Sequence, residues 1–146
     1  MVMFYMCRGD LFDNENAEVH CVTVNCIGAM GAGIAKKCRD KYPDIYQRYK
    51  AQCDKGLWKP GQCCFMTASN GDRLLLVATK DKWWDPSKTE WVEDILARIA
   101  TTYEDYGYSS LALTHLGCGN GKLDKSDVRA LMQKHLGDCM LDLYLY

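Results

Sequence analysis

No apolar stretch in this chain approaches the roughly 20 residues that span a bilayer, so a membrane partner is not expected. The first residues, Met1-Val2-Met3-Phe4-Tyr5-Met6, lack the basic flank and cleavage pattern of a secretion signal and read as a first strand. Charge of either sign is not in excess: 18 Lys and Arg face 19 Asp and Glu, and a net −1 exerts no global pull on nucleic acid. The cluster Lys36, Lys37, Arg39 and Lys41 reads as a solvated helix face. Repeats, linkers and low-complexity tracts are missing too, which leaves one domain over residues 1–146, long enough for a conventional core. Although there are nine cysteines, no CxxC pair occurs, and the adjacent Cys63 and Cys64 suit neither a zinc site nor an ordinary bridge. An odd count in apolar surroundings reads as reduced thiols in a cytoplasmic protein with no metal.

What the chain does have is glycine in two separated places, each directly after a short apolar run. The first is Asn25-Cys26-Ile27-Gly28-Ala29-Met30-Gly31-Ala32-Gly33-Ile34-Ala35, and the second is Leu116-Gly117-Cys118-Gly119-Asn120-Gly121. Without a Cβ, glycine lets a ligand approach main-chain N–H groups, and a loop leading into a helix adds the helix dipole. Gly28, Gly31 and Gly33 do not have GxGxxG spacing, and Gly121-Lys122 is followed by Leu123 where a P-loop has a hydroxyl. Either loop alone could be only a tight turn. Both together, each at a strand end, point to a clamp around an anionic ligand.

Strands are expected at Val2–Cys7, Val19–Val24, Gln62–Ala68, Arg73–Thr79, Ser109–His115 and Met140–Leu145. Asn70-Gly71 between the third and fourth predicts an antiparallel hairpin. A helix opening at Gly33 presents Ile34, Ala35, Cys38 and Tyr42; Pro43 restarts a second with Ile45, Tyr46, Tyr49 and Cys53. Ser87 with Glu90 forms a capping-box pattern for a third, whose buried face is Trp91, Ile95, Leu96, Ile99 and Tyr103 and whose stop is Gly107. Asp124 with Asp127 starts a fourth, with Val128, Leu131, Met132 and Leu136 inward. Strands alternating with helices, plus one hairpin, make an α/β sandwich with a mixed sheet.

The stretch from Val24 to Ala35, with Tyr42-Pro43 downstream, resembles the first ligand loop of a macrodomain. Leu116 to Asp124 resembles the second, diphosphate-embracing loop, and Arg8-Gly9-Asp10-Leu11 is similar to the Gly-Asp-Ile element whose aspartate recognises adenine. The resemblance implies a three-layer α/β/α sandwich and an ADP-ribose ligand. Ala78-Thr79-Lys80-Asp81-Lys82-Trp83-Trp84 with Pro86-Ser87-Lys88 resembles the branch that removes ADP-ribose from proteins or DNA, antitoxin macrodomains included. In that branch Lys80 is implied as the catalytic residue, attacking the anomeric carbon of the distal ribose.

The same resemblance assigns ligand contacts to Asp10, Leu11, Asn25, Cys26, Gly31, Ala32, Gly33, Ile34, Leu116, Gly117, Cys118, Gly119, Asn120 and Gly121. No cofactor is implied. The partner is ADP-ribose or an ADP-ribosylated macromolecule, ADP-ribosylated DNA among the candidates, and a monomer is expected. Each residue also has a plainer reading. Asp10 and Asn25 suit turns and caps, Asp124 a helix N-cap, and His115 a strand end. Lys80 suits a solvated loop. Trp83 and Trp84 either flank the pocket or cover the core. Some lysine-dependent relatives carry an aspartate where Gly121 stands; the antitoxin-like ones carry glycine. Two other functions stay open, a phosphatase acting on ADP-ribose 1″-phosphate and a reader that binds without turnover.

Overall fold

The computed structural model describes residues 1–146. Its strands are β1 (Met3–Met6), β2 (Val19–Val24), β3 (Cys63–Thr67), β4 (Arg73–Ala78), β5 (Ser110–Leu113) and β6 (Asp142–Leu145). They form one sheet in the order β1-β6-β5-β2-β4-β3. All neighbours are parallel except β3 and β4, the predicted hairpin. Gly71 sits at φ +92° in that turn, a conformation that glycine adopts without strain.

Four helices cover the sheet: α1 (Gly33–Lys41), α2 (Pro43–Asp54), α3 (Thr89–Thr102) and α4 (Lys125–Leu136). Side chains alternate across the pleat. Val19 and Cys21 of β2, with Leu75 and Val77 of β4, meet Ile95, Leu96, Ile99, Val128 and Met132 from α3 and α4. Val22, Val24, Leu74, Leu76 and Ala78 point the other way, toward Cys38, Ile45 and Tyr49 from α1 and α2. The result is the three-layer α/β/α sandwich. Apolar residues on both faces of β4 follow from this burial, because parallel strands are covered above and below.

Several local expectations are corrected. The capping box at Ser87 and Glu90 does not form. The helix begins at Thr89 with Lys88 in the capping position and no side-chain cap, because Ser87 is drawn into contact with the second glycine loop. Val92, not Trp91, takes the inward position; Trp91 is half-buried with the Lys88 ammonium 5.2 Å from its ring centroid. The stripe Val92, Ile95, Leu96, Ile99 fits the helical repeat without it. The helix stops at Thr102, ahead of Gly107, which ends the following turn at φ +70°. Leu131 stays at the margin of the core. β2 has the expected bounds, Val19–Val24, and the other five strands are one to three residues shorter than expected.

All nine cysteines are unpaired, three buried and six half-buried. No helix is long and apolar enough to cross a membrane. What matters most for a site is the central position of β2, between β5 and β4 and parallel to both. The loops that follow these three strands gather at one edge, where open parallel sheets bind their ligands.

Candidate functional site

A cavity of about 650 Å³ lies at that edge, within the usual range for a small-molecule site. The two glycine loops, the segment after β4, and Tyr146 line it. Asn25 builds the first loop from its own side chain. Its Oδ1 accepts from the Ile27 N–H (3.1 Å) and the Ala29 N–H (3.3 Å), and its Nδ2 donates to the Ala29 carbonyl (2.8 Å). The buried Tyr49 hydroxyl donates to the Asn25 carbonyl at 2.7 Å and pins this turn to α2. One Nδ2 hydrogen of Asn25 is left for the cavity.

The loop then delivers Gly31, Ala32, Gly33, Ile34 and Ala35 to the cavity wall as α1 begins. Ala32 is the N-cap and offers no side chain, and no acidic residue occupies the first turn. The amides of Gly33, Ile34 and Ala35 therefore lack acceptors within the protein and face the cavity with the positive end of the helix dipole. Nothing competes there with an anion.

The second loop mirrors this arrangement. Gly117 turns at φ +76°, Cys118 N–H donates to the His115 carbonyl, and Leu123 N–H returns to the Gly117 carbonyl. Between them the N–H groups of Gly119, Asn120 and Gly121 make no bond within the protein. Successive free amides of this kind form a concave anion site. A Cβ on Gly121 would overlap the Gly117 carbonyl and the Ser87 hydroxyl, so the loop has no room for an aspartate here. Asp124 is the N-cap of α4, its Oδ1 accepting from the Asp127 N–H at 3.1 Å.

Lys80 joins the two sides. Its Nζ donates to the Trp83 carbonyl (3.0 Å) and the Asn120 carbonyl (3.1 Å), clasping the post-β4 segment to the second loop. Burial, then the nearby Lys122 ammonium, lowers its pKa below the ordinary lysine value, with Asp85 opposing. His115 also lines the cavity, its Nδ1 donating to the Tyr146 carbonyl (3.1 Å), which leaves Nε2 as the acceptor in the neutral ring.

Four of the expected contact residues stand outside the cavity wall. Asp10 caps a short turn, accepting from the Phe12 N–H at 2.9 Å, and pairs with Lys37 at 3.5 Å; Leu11 behind it is buried. Cys26 ties the first loop to the segment after β4, its N–H donating to the Asp81 carbonyl and its thiol to that of Lys80. Leu116 is buried against α3 and α4 and anchors the second loop. Trp83 lines the cavity while Trp84 stands outside it.

Sequence reasoning missed Thr23, Thr114 and Lys125, all next to recognised segments, and Tyr146. The Tyr146 hydroxyl accepts from Asn14 Nδ2 at 3.1 Å, a contact across 132 positions that no local pattern signals. Burial raises the Tyr146 phenol, and Asp10 is close enough to add to the effect.

The family model for the Macro domain matches residues 21–132. The chain belongs to the macrodomain family. Among curated proteins, this macrodomain is 32% identical over 123 residues to a DNA ADP-ribosyl glycohydrolase of Mycobacterium tuberculosis, covering 82% of the present chain and 35% of the relative. It thus spans about a third of that relative's length. Among solved structures, the macrodomain of Mycobacterium tuberculosis DarG superposes with a TM-score of 0.92 at 28% identity, over 99% of this chain and 97% of that one. Thermosipho africanus DarTG in complex with ADP-ribose gives 0.85 at 29% identity, over 98% and 41%.

Proposed function

We propose that this macrodomain holds ADP-ribose in the cavity and hydrolyses the bond joining it to DNA, with Lys80 as the catalytic residue. The diphosphate lies between the free amides of Gly33 to Ala35 and those of Gly119 to Gly121. Adenine points toward Tyr146 and the neighbouring Asp10, and the distal ribose toward Asn25 and Lys80. Support for DNA as the carrier comes from the relatives named DNA ADP-ribosyl glycohydrolase.

The observation behind Lys80 is its position between the Trp83 and Asn120 carbonyls at the cavity wall. Its neutral Nζ attacks the anomeric carbon, and the bond from that carbon to the DNA base breaks. The bonding pair departs with the base, which takes up the proton that Nζ loses on forming its bond to carbon. Water then displaces the lysine, releasing ADP-ribose and restoring the amine. A lowered lysine pKa enlarges the neutral, nucleophilic fraction near neutral pH.

Lys80→Ala is expected to bind free ADP-ribose within a few-fold of the original while kcat on ADP-ribosylated DNA falls by about 100-fold or more. Lys80→Arg fails equally, since a guanidinium stays protonated. The original protein gains activity with rising pH through a midpoint below about 10.4, the usual lysine value. Calorimetry and release of ADP-ribose from an oligonucleotide measure these effects. Full activity in Lys80→Ala refutes the role. Phosphate release from ADP-ribose 1″-phosphate, unaffected by Lys80→Ala and without any cleavage of DNA, moves the reading to a phosphatase; binding with no turnover moves it to a reader.

A further inference from the structure

Trp83 and Trp84 are 57% and 58% exposed, side by side, their ring centroids 5.2 Å apart at 87°. Tryptophan is ordinarily among the more buried residues, and two adjacent exposed indoles mark a surface that meets something. Their place narrows what that is. Trp83 is part of the cavity wall, its own carbonyl holding the Lys80 Nζ. The exposed indole pair therefore begins at the cavity wall beside Lys80.

We propose that the Trp83–Trp84 pair is a stacking platform for single-stranded nucleic acid, receiving the modified base and its neighbour outside the cavity. The inference rests on the reading of Lys80 as the residue facing the anomeric carbon. In a substrate modified on a DNA base, the group attached to that carbon is a flat nucleobase; in a protein-linked one it is a flexible side chain. A rigid indole beside Lys80 suits the first. Near-perpendicular rings offer two faces in different directions, which a continuous duplex stack does not match but a strand with splayed bases does.

The surrounding charge fits a weakly electrostatic, stacking-led contact. Lys82 Nζ lies 5.7 Å from the Trp84 centroid, and Lys88 continues the basic positions onto Trp91. Between residues 80 and 88 three lysines accompany two aspartates, Asp81 and Asp85, so only a shallow salt dependence is expected. Trp84 acts on substrate choice and Lys80 on bond cleavage, which makes the two separable.

Trp84→Ala, Trp84→Phe and the double variant Trp83→Ala/Trp84→Ala, in the full chain, test the proposal. Trp84→Ala is expected to lower kcat/KM on a single-stranded oligonucleotide ADP-ribosylated on a base by roughly tenfold to a hundredfold, mainly through KM. Its affinity for free ADP-ribose and its rate on an ADP-ribosylated glutamate protein stay unchanged, and Trp84→Phe recovers most of the loss. Equal losses on both substrates, a loss on the protein substrate alone, or no loss at all overturns the platform. Quenching of tryptophan fluorescence by an unmodified oligothymidylate provides an arm that needs no turnover. If no substrate is cleaved even by the original protein, the hydrolase reading has failed, and the platform stands or falls on quenching that the double variant abolishes.

Discussion

Gly121 stands at the most crowded point of the second glycine loop. Its backbone does not require a left-handed φ; what it requires is space, since a Cβ would overlap the Gly117 carbonyl and the Ser87 hydroxyl. Gly121→Ala is expected to cost about 1–3 kcal/mol, read as a fall in midpoint on thermal denaturation, and to weaken ADP-ribose binding by displacing the Gly119 to Gly121 amides. Adding Ser87→Gly recovers only part of the loss, because the Gly117 carbonyl is backbone and stays in place. Without a carboxylate at this position, Lys80 Nζ has only two carbonyls as hydrogen-bond partners, and burial, then Lys122, lowers its pKa below the ordinary lysine value. The importance of glycine here was legible in the sequence. Its cause was not, because Ser87 lies 34 positions away and carries a capping-box pattern in the sequence.

At the scale of elements, two helix starts illustrate opposite uses of the same geometry. α4 is capped: Asp124 accepts the Asp127 N–H and the Ser126 hydroxyl, which holds its carboxyl below the usual range. α1 is uncapped and keeps its first amides for a ligand. Asp124→Ala is expected to lower the midpoint of chemical denaturation, and Asp124→Asn to retain most of the original midpoint, since an amide oxygen also caps. Hydrolase activity surviving in Asp124→Asn separates the cap from any role as a proton carrier. Helices and strands follow the periodicity of the sequence, whereas the start of α3 moves to Thr89 because the Ser87 N–H bonds the Gly121 carbonyl of the second loop.

For the whole molecule, the contact between layers is testable through acid. The Tyr42 hydroxyl at the end of α1 donates to Asp72 Oδ2 at 2.8 Å, tying the α1–α2 layer to the β3–β4 turn. This bond, first among the causes, holds the Asp72 carboxyl below its ordinary value. A depressed carboxylate stabilises the fold above the unfolded pKa of about 3.9 and loses that contribution as pH falls through the folded value. Tyr42→Phe is therefore expected to lose about 1 kcal/mol at neutral pH, with a smaller difference toward pH 2, in denaturant titrations across pH.

By itself, the sequence determined the layers, the hairpin and the two glycine loops, because periodicity and glycine chemistry act over a few residues. Only tertiary structure decided which groups meet in the cavity. It brought Tyr146 to Asn14 and His115, set Asp10 and Cys26 behind the wall, and placed Lys80 between two carbonyls 37 positions apart in the chain. Parallel strands cause this division: each crossover returns the chain to the same edge, so residues far apart in sequence share a site while their immediate neighbours point elsewhere.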